Sequence, residues 1–149
     1  MINFFSSILM FAMQSRAIAN NIPVPNTNTL TGSIAVWDAL ISVPYGQHWQ
    51  HGNLCATDRG FQDIHEGQSV LVRDAKNNII AIGKLKEGRF NWVNKNQYPA
   101  LWTCIFGFSV SNIPESPFYT LTIGGRKPIA ITLDDLKLNK WTLNFSLRG

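Results

Sequence analysis

Apolar and polar residues alternate with a period of two along most of the second half of the chain, and after the first nineteen residues no stretch holds the 3.6-residue period of a long helix. The clearest segment runs from Glu66 to Gly88, EGQSVLVRDAKNNIIAIGKLKEG, two apolar runs joined by a polar turn. Val70 and Val72 alternate with Ser69, Leu71 and Arg73, and Ile79 to Leu85 resumes a run rich in β-branched residues. The spacing predicts a β-hairpin with Asp74 to Asn78 at its tip. Asn77 and Asn78 fall where a left-handed backbone is expected, and Asn tolerates that conformation better than most residues with a side chain.

The same reading places further strands on either side. Thr31 to Ser42 alternates around Ile34, Val36 and Leu40, with Trp37 on the opposite side from Val36, and Pro44 ends it. In Leu101 to Val110, Trp102, Cys104, Phe106, Phe108 and Val110 share one face, which is read as core. Lys86 to Pro99 is polar around Trp92 and reads as a connection that crosses between sheets. Phe118 to Ile123 sets Tyr119, Leu121 and Ile123 on one side. Gly124 and Gly125 then turn the chain at a tip that carries Arg126 and Lys127. Ile129 to Ile131 is a further short strand, and TLDDL reads as one helical turn with Thr132 as its N-cap and Asp135 three residues on. In the terminal WTLNFSLRG, Trp141, Leu143, Phe145 and Leu147 alternate with Thr142, Asn144 and Ser146, which predicts a half-buried antiparallel strand. About seven short strands separated by Gly, Pro and Asn turns predict an all-β fold, a Greek-key β-sandwich.

The chain start has a different character. Asn3 to Met13 is an apolar run followed by Arg16 and by Ala17-Ile18-Ala19, the small-x-small pattern of a signal-peptidase site. A membrane-spanning helix needs about 20 apolar residues, and this run is roughly half as long. Residues 1–19 are therefore assigned as a helical signal peptide, although no Lys or Arg precedes the run. A short amphipathic helix is the other reading. Residues 20–30, with two prolines and little to bury, are an extended tether, and 31–149 is the domain.

Composition narrows the class. A chain of 149 residues with 45% hydrophobic and 15% charged residues is a single globular domain, and disorder of the whole is excluded. The formal charge of +4 falls by one, to +3, if Arg16 leaves with the signal. That is too little and too scattered to argue for nucleic acid. Two cysteines in an exported domain most simply form one disulfide, Cys55 to Cys104; two buried free thiols in a cytosolic protein are the alternative.

Candidate chemistry concentrates between Val43 and Gln68, which holds all three histidines and is punctuated by glycines 46, 52, 60 and 67. A metal site built from His48, His51 and His65 with Asp58, Asp63 or Glu66 has the right ligand types but matches no motif spacing, so neither metal nor cofactor is assigned. Neither GxSxG nor HExxH is present. A Cys55-His hydrolase with His48 or His65 conflicts with an oxidised Cys55. The GGRK stretch is a hairpin tip rather than a phosphate loop. Recognition fits better: Tyr45, His48, Trp49, His51, Asp63, His65 and Trp92 are the candidate ligand-binding residues, as a stacking surface for a carbohydrate or a cell-envelope protein. The opposing reading is that these rings merely cap the ends of the sandwich.

Several phrases in order, FQDIHEGQSVLVRDAKNNIIAIGKLKEG, then Cys104 with IFGFSV, IPESPFYTLTIGGR and the terminal WTLNFSL, resemble an uncharacterised family of small bacterial secreted proteins and lipoproteins. The resemblance covers roughly Leu54 to Leu147 and implies a prealbumin-like or immunoglobulin-like sandwich, with no activity attached. Phe61, Gln62 and Asn77 depart from the family's Tyr, Asp and turn Gly, and no lipobox cysteine lies near Ala19. The expectation for function is a secreted or periplasmic, disulfide-stapled, non-enzymatic binding or accessory protein of the cell envelope. A small exported enzyme or metal-handling protein using the His48/His51/His65 loop is the alternative. A third reading is an accessory subunit that offers a free sheet edge to a partner.

Overall fold

A computed structural model describes residues 26–37, 41–42, 50–57, 60–94, 96 and 101–148. They form β1 (Thr27–Trp37), β2 (Ile41–Ser42), β3 (Leu54–Thr57), β4 (Ser69–Arg73), β5 (Ile79–Asn94), β6 (Leu101–Pro114), β7 (Phe118–Ile123), β8 (Ile129–Thr132), α1 (Leu133–Leu138) and β9 (Thr142–Arg148). The fold is all-β. Its strands follow one hydrogen-bonded path, β8-β7-β4-β5-β6-β1-β9, with β3 added to β5 and β2 to β3.

The β4–β5 hairpin forms as the alternation predicts, with Val70 opposite Gly83, Leu71 opposite Ile82 and Val72 opposite Ala81. Val70 and Val72 are buried, which fixes the register, since a one-residue slip would turn both to solvent. Asp74 organises the tip: its Oδ1 accepts from the backbone N–H groups of Lys76 and Asn78 at 2.9 Å each. Asn77 takes the left-handed conformation, φ +66°. The backbone hydrogen bond from Asn78, with smaller help from its side chain and from Lys76, holds the Asp74 carboxyl below the usual aspartate pKa.

β5 is the spine. Its first half pairs with β4, its second half pairs with β3 on the same edge, and β6 runs along the other edge from Lys84↔Ser109 to Asn94↔Leu101. The polar stretch from Lys86 onward is thus strand to Asn94, not the predicted crossing between sheets. A register shift between Leu85 and Gly88 moves the inward side from odd to even positions, so Phe90 and Trp92 face the core while Lys86 and Arg89 stay in water.

β6 presents Cys104, Phe106, Phe108 and Val110 inward, as expected. Opposite them β1 buries Leu30, Ile34 and Val36, and Gly32 leaves the space that the Phe108 ring fills: a Cβ there would stand 2.5 Å from Phe108 Cζ. β1 begins at Thr27, inside the stretch read as tether, because Leu30 is core and the ladder with β6 reaches Thr27↔Pro114.

The predicted sandwich differs from what forms. Among the described residues one mixed sheet curls into a half-barrel around a single core, because β1 and β5 both hydrogen-bond β6 and no break divides two facing sheets. The last strand, expected to be antiparallel, runs parallel to β1, Thr31↔Thr142 to Trp37↔Arg148. The reason lies in α1, which starts from the Thr132 N-cap, where the hydroxyl accepts from Asp135 N–H at 3.1 Å, and carries the chain from one edge of the sheet to the other. Its one buried side chain, Leu136, closes that end of the core. The rings of Tyr119 on β7 and Trp141 before β9 meet there at 5.7 Å.

Candidate functional site

The disulfide between Cys55 and Cys104 is formed, with Cα atoms 6.0 Å apart. Its place in the sheet is unusual, because Cys55 opposes Gly88 on β5, and β5 separates β3 from β6. In a flat sheet two strands flanking a third lie about 9.5 Å apart. A separation of 6.0 Å therefore means that the sheet is creased along β5. Gly88 makes the crease feasible: a Cβ there would lie 2.5 Å from the Cys55 carbonyl oxygen, 2.7 Å from Cys104 Sγ and 2.8 Å from the Phe106 ring. Both sulfurs are buried, Cys55 at 6% and Cys104 at 0% exposure.

Over the disulfide lies an open groove of about 320 Å³. Leu54, Ala56 and Phe106 give it apolar walls, and His65, Glu66 and Glu87 stand at its rim. His65 is exposed, with its Nδ1 2.8 Å from the Glu66 carbonyl oxygen. Glu87 pairs with Arg89, whose other nitrogen donates to the Gly52 carbonyl at 2.9 Å. The groove thus offers two carboxylates and an imidazole beside an apolar floor. That set can accept hydrogen bonds from hydroxyls or amines beside the apolar surface of Leu54 and Ala56.

The irregular segment that carries His65 is held by more than the disulfide. Phe61 and Ile64 are buried in the core, Phe61 at 7% and Ile64 at 0% exposure. Thr57 Oγ1 lies 2.6 Å from the Ile64 carbonyl and 2.9 Å from that of Phe61, donating its one proton to one of them at a time. Asp63 Oδ1 accepts from Arg126 Nη2 at 2.7 Å, the same nitrogen donates to the Gly60 carbonyl at 2.8 Å, and the guanidinium sits 5.0 Å above the Phe61 ring. Gly124, at φ +56°, lets the β7–β8 tip approach: a Cβ there would be 2.5 Å from the Asp63 carbonyl oxygen. Asp63 is thus a latch between this segment and the hairpin tip.

The sequence-predicted residues that the structure describes are dispersed. His65 lies on the groove and Asp63 in the latch. His51 is exposed in the turn before β3, where Gly52 N–H donates to the Phe90 carbonyl at 2.7 Å. Trp92 is half-buried, edge-on to Phe90 at 5.2 Å and to Trp102 at 6.1 Å, and packs against the core as a cap. Tyr45, His48 and Trp49 lie outside the described residues, as do the signal segment 1–19 and residues 20–25 of the tether. Among the described residues no group of three or more His, Cys, Asp or Glu is arranged to hold a metal, and no helix is long and apolar enough to cross a membrane. Glu87, inside the stretch read as a connection, and the anchors Phe61 and Ile64 were not among the candidates. The i, i+3 spacing of those two apolar residues in an otherwise polar stretch is the signal that marks them.

Comparison with protein-family models, with curated proteins and with solved structures found no match for this chain.

Proposed function

We propose that the chain is an exported, non-enzymatic binding protein of the cell envelope that takes a polar ligand, carrying hydroxyl or amino groups, in the groove above the disulfide. The observation that carries this reading is the Cys55–Cys104 bond itself, which fixes β3 and one wall of the groove against β6 and uses both thiols in a structural role. Small disulfide-stapled domains belong to oxidising compartments, and the apolar start with Ala17-Ile18-Ala19 supplies a route there. The resemblance to small bacterial secreted proteins points the same way.

Two measurements test it. Fractionation of the native host is expected to recover the chain outside the cytoplasm, beginning at Asn20 and free of thiols; full-length reduced protein in the cytosol overturns the export half. For binding, the His65 ring resonances are followed by NMR while neutral oligosaccharides and amino sugars are added. Saturable shifts at His65 that weaken several-fold in Glu66→Gln or Glu87→Gln support the groove, since a hydrogen bond to a charged group contributes about 1.5–3 kcal/mol. A His65 ring unmoved by every member of the panel removes it.

A further inference from the structure

The half-barrel is open along one line, and its two margins are alike. Among the described residues β8 pairs only with β7 and β9 only with β1, so each leaves one edge of backbone N–H and C=O groups without a strand partner. The two margins are joined at one end by α1, from Thr132 to Thr142. At the other end they face each other across a narrow apolar slot of about 40 Å³, where Ile129 of β8 and Phe145 and Leu147 of β9 meet Ile34, Ile64 and Ile123.

Three features of this gap point to its occupant. The first is size: small-molecule pockets run to roughly 300–1,000 Å³, whereas 40 Å³ has room for one apolar side chain. The second is that protection is confined to the strand ends. Exposed edges are normally blunted by charges, prolines or bulges; here Pro128 precedes β8 and Arg148 ends β9, while Ile129–Thr132 and Thr142–Leu147 contain neither a charged residue nor a proline. Ile129 keeps 39% of its surface exposed, and Leu143, Phe145 and Leu147 are half-buried rather than sealed. The third is charge. Arg126 and Lys127 stand at the mouth of the slot, and Arg148 follows Leu147 at the same end of β9; Arg126 is engaged with Asp63 and Arg148 lies over the Trp37 ring, while Lys127 is exposed.

We propose that the line between β8 and β9 is a strand-acceptor site. An extended segment of a partner chain, about five to seven residues matching the length of β9, inserts there, hydrogen-bonds both margins and completes the barrel. One inward apolar side chain enters the slot, and an acidic residue at one end of the segment meets Lys127. This goes beyond the groove reading and does not depend on it, since the two sites share no lining residue.

The test uses the full chain and synthetic peptides of alternating Val and Thr with Asp or with Lys at one terminus, titrated while backbone amides are followed by NMR and hydrogen exchange. The proposal expects the Asp-ended peptide to bind more tightly than about 1 mM and to slow exchange on β8 and β9 together. N-methylation of alternate peptide nitrogens is expected to weaken binding about tenfold or more, because each methyl removes a backbone donor that a margin would otherwise pair. Lys127→Glu, at an exposed position, is expected to reverse the preference between the Asp- and Lys-ended peptides by a factor of about three to five. Four results overturn it: outer amides of β8 and β9 already protected in the free protein, no binding, binding indifferent to N-methylation, or protection confined to one of the two strands.

Discussion

Gly88 shows how a single hydrogen atom in place of a side chain sets the curvature of this sheet. Gly88→Ala drives a methyl into the Cys55 carbonyl, the Cys104 sulfur and the Phe106 ring at once, and backbone on one side leaves no soft neighbour to yield. Overpacking of a tight core costs about 1–3 kcal/mol and at times more, so a loss of about 3 kcal/mol in urea unfolding is expected, with a fraction of chains that fail to close the disulfide. Gly107→Ala is the matched control: its Cβ would meet nothing nearer than Lys86 Cδ at 3.7 Å. There the reduced entropy of the unfolded chain is expected to leave stability unchanged or raise it by about 0.5 kcal/mol. Equal losses at the two sites would refute the crease. Tyr119 makes a second residue-scale case, since its hydroxyl accepts from Ser116 N–H at 2.9 Å and donates to the Pro114 carbonyl at 3.0 Å. Burial, together with the nearby Glu115 charge and against the Ser116 hydrogen bond, raises its pKa above the usual tyrosine value. A raised pKa means that the folded state holds the proton more firmly, so this contribution is whole below about pH 10 and fades as pH rises through the folded value. Tyr119→Phe is expected to cost about 1–2 kcal/mol at neutral pH and to flatten the alkaline limb of stability; parallel curves for the two proteins would exclude the effect.

At the scale of elements, the latch joining the irregular segment to the β7–β8 hairpin is open to measurement. Asp63 and Arg126 keep 30% and 33% of their side chains exposed, so solvent screens the pair and a double-mutant cycle with Asp63→Asn and Arg126→Met is expected to give a coupling of only about 1 kcal/mol. Arg126→Met alone is expected to cost more than Asp63→Asn, because it also removes the Gly60 hydrogen bond and the cover over Phe61. A coupling of zero would make the latch incidental. The same elements show what was legible beforehand. The β4–β5 hairpin, the inward face of β6 and the Thr132 cap were readable, since each depends on local alternation or on one capping side chain. The second half of β5 was not: the shift between Leu85 and Gly88 changes the parity of the apolar positions midway, and a fixed period of two then reads Phe90 and Trp92 as strays. The parallel pairing of β9 was equally hidden, because alternation is the same for either direction and only the path of α1 decides. Of the residues that line the groove, His65 was among the candidates read from the sequence, whereas Glu87 was not, because its place there comes from a fold of the sheet that brings distant strands together.

For the whole molecule the disulfide encloses the entire β4–β5 hairpin within a separation of 49 residues. The chain-entropy relation gives roughly 4 kcal/mol for a loop of that length. Replacing both cysteines by Ser is expected to lower stability by up to that amount. Hydrogen exchange should accelerate first in Gln50 to Gln68, since β5–β6 and β1–β6 retain their ladders. Uniform acceleration across β1, β5 and β6 would show instead that the crease holds the whole sheet.

The order of the two cysteines along the chain has a consequence in time. On the export reading the chain emerges from its N-terminus, so Cys55 reaches an oxidising space before Cys104, which follows 49 residues later. At the rate of synthesis, about 5–20 residues per second, Cys55 waits roughly 2 to 10 s as a solitary thiol, with β6 not yet formed beside it. In that interval it is open to mixed disulfides with other emerging chains, and only the arrival of Cys104 draws both sulfurs out of reach. Misoxidised product should therefore be adducts through Cys55, and slowing translocation between the two residues should increase their yield.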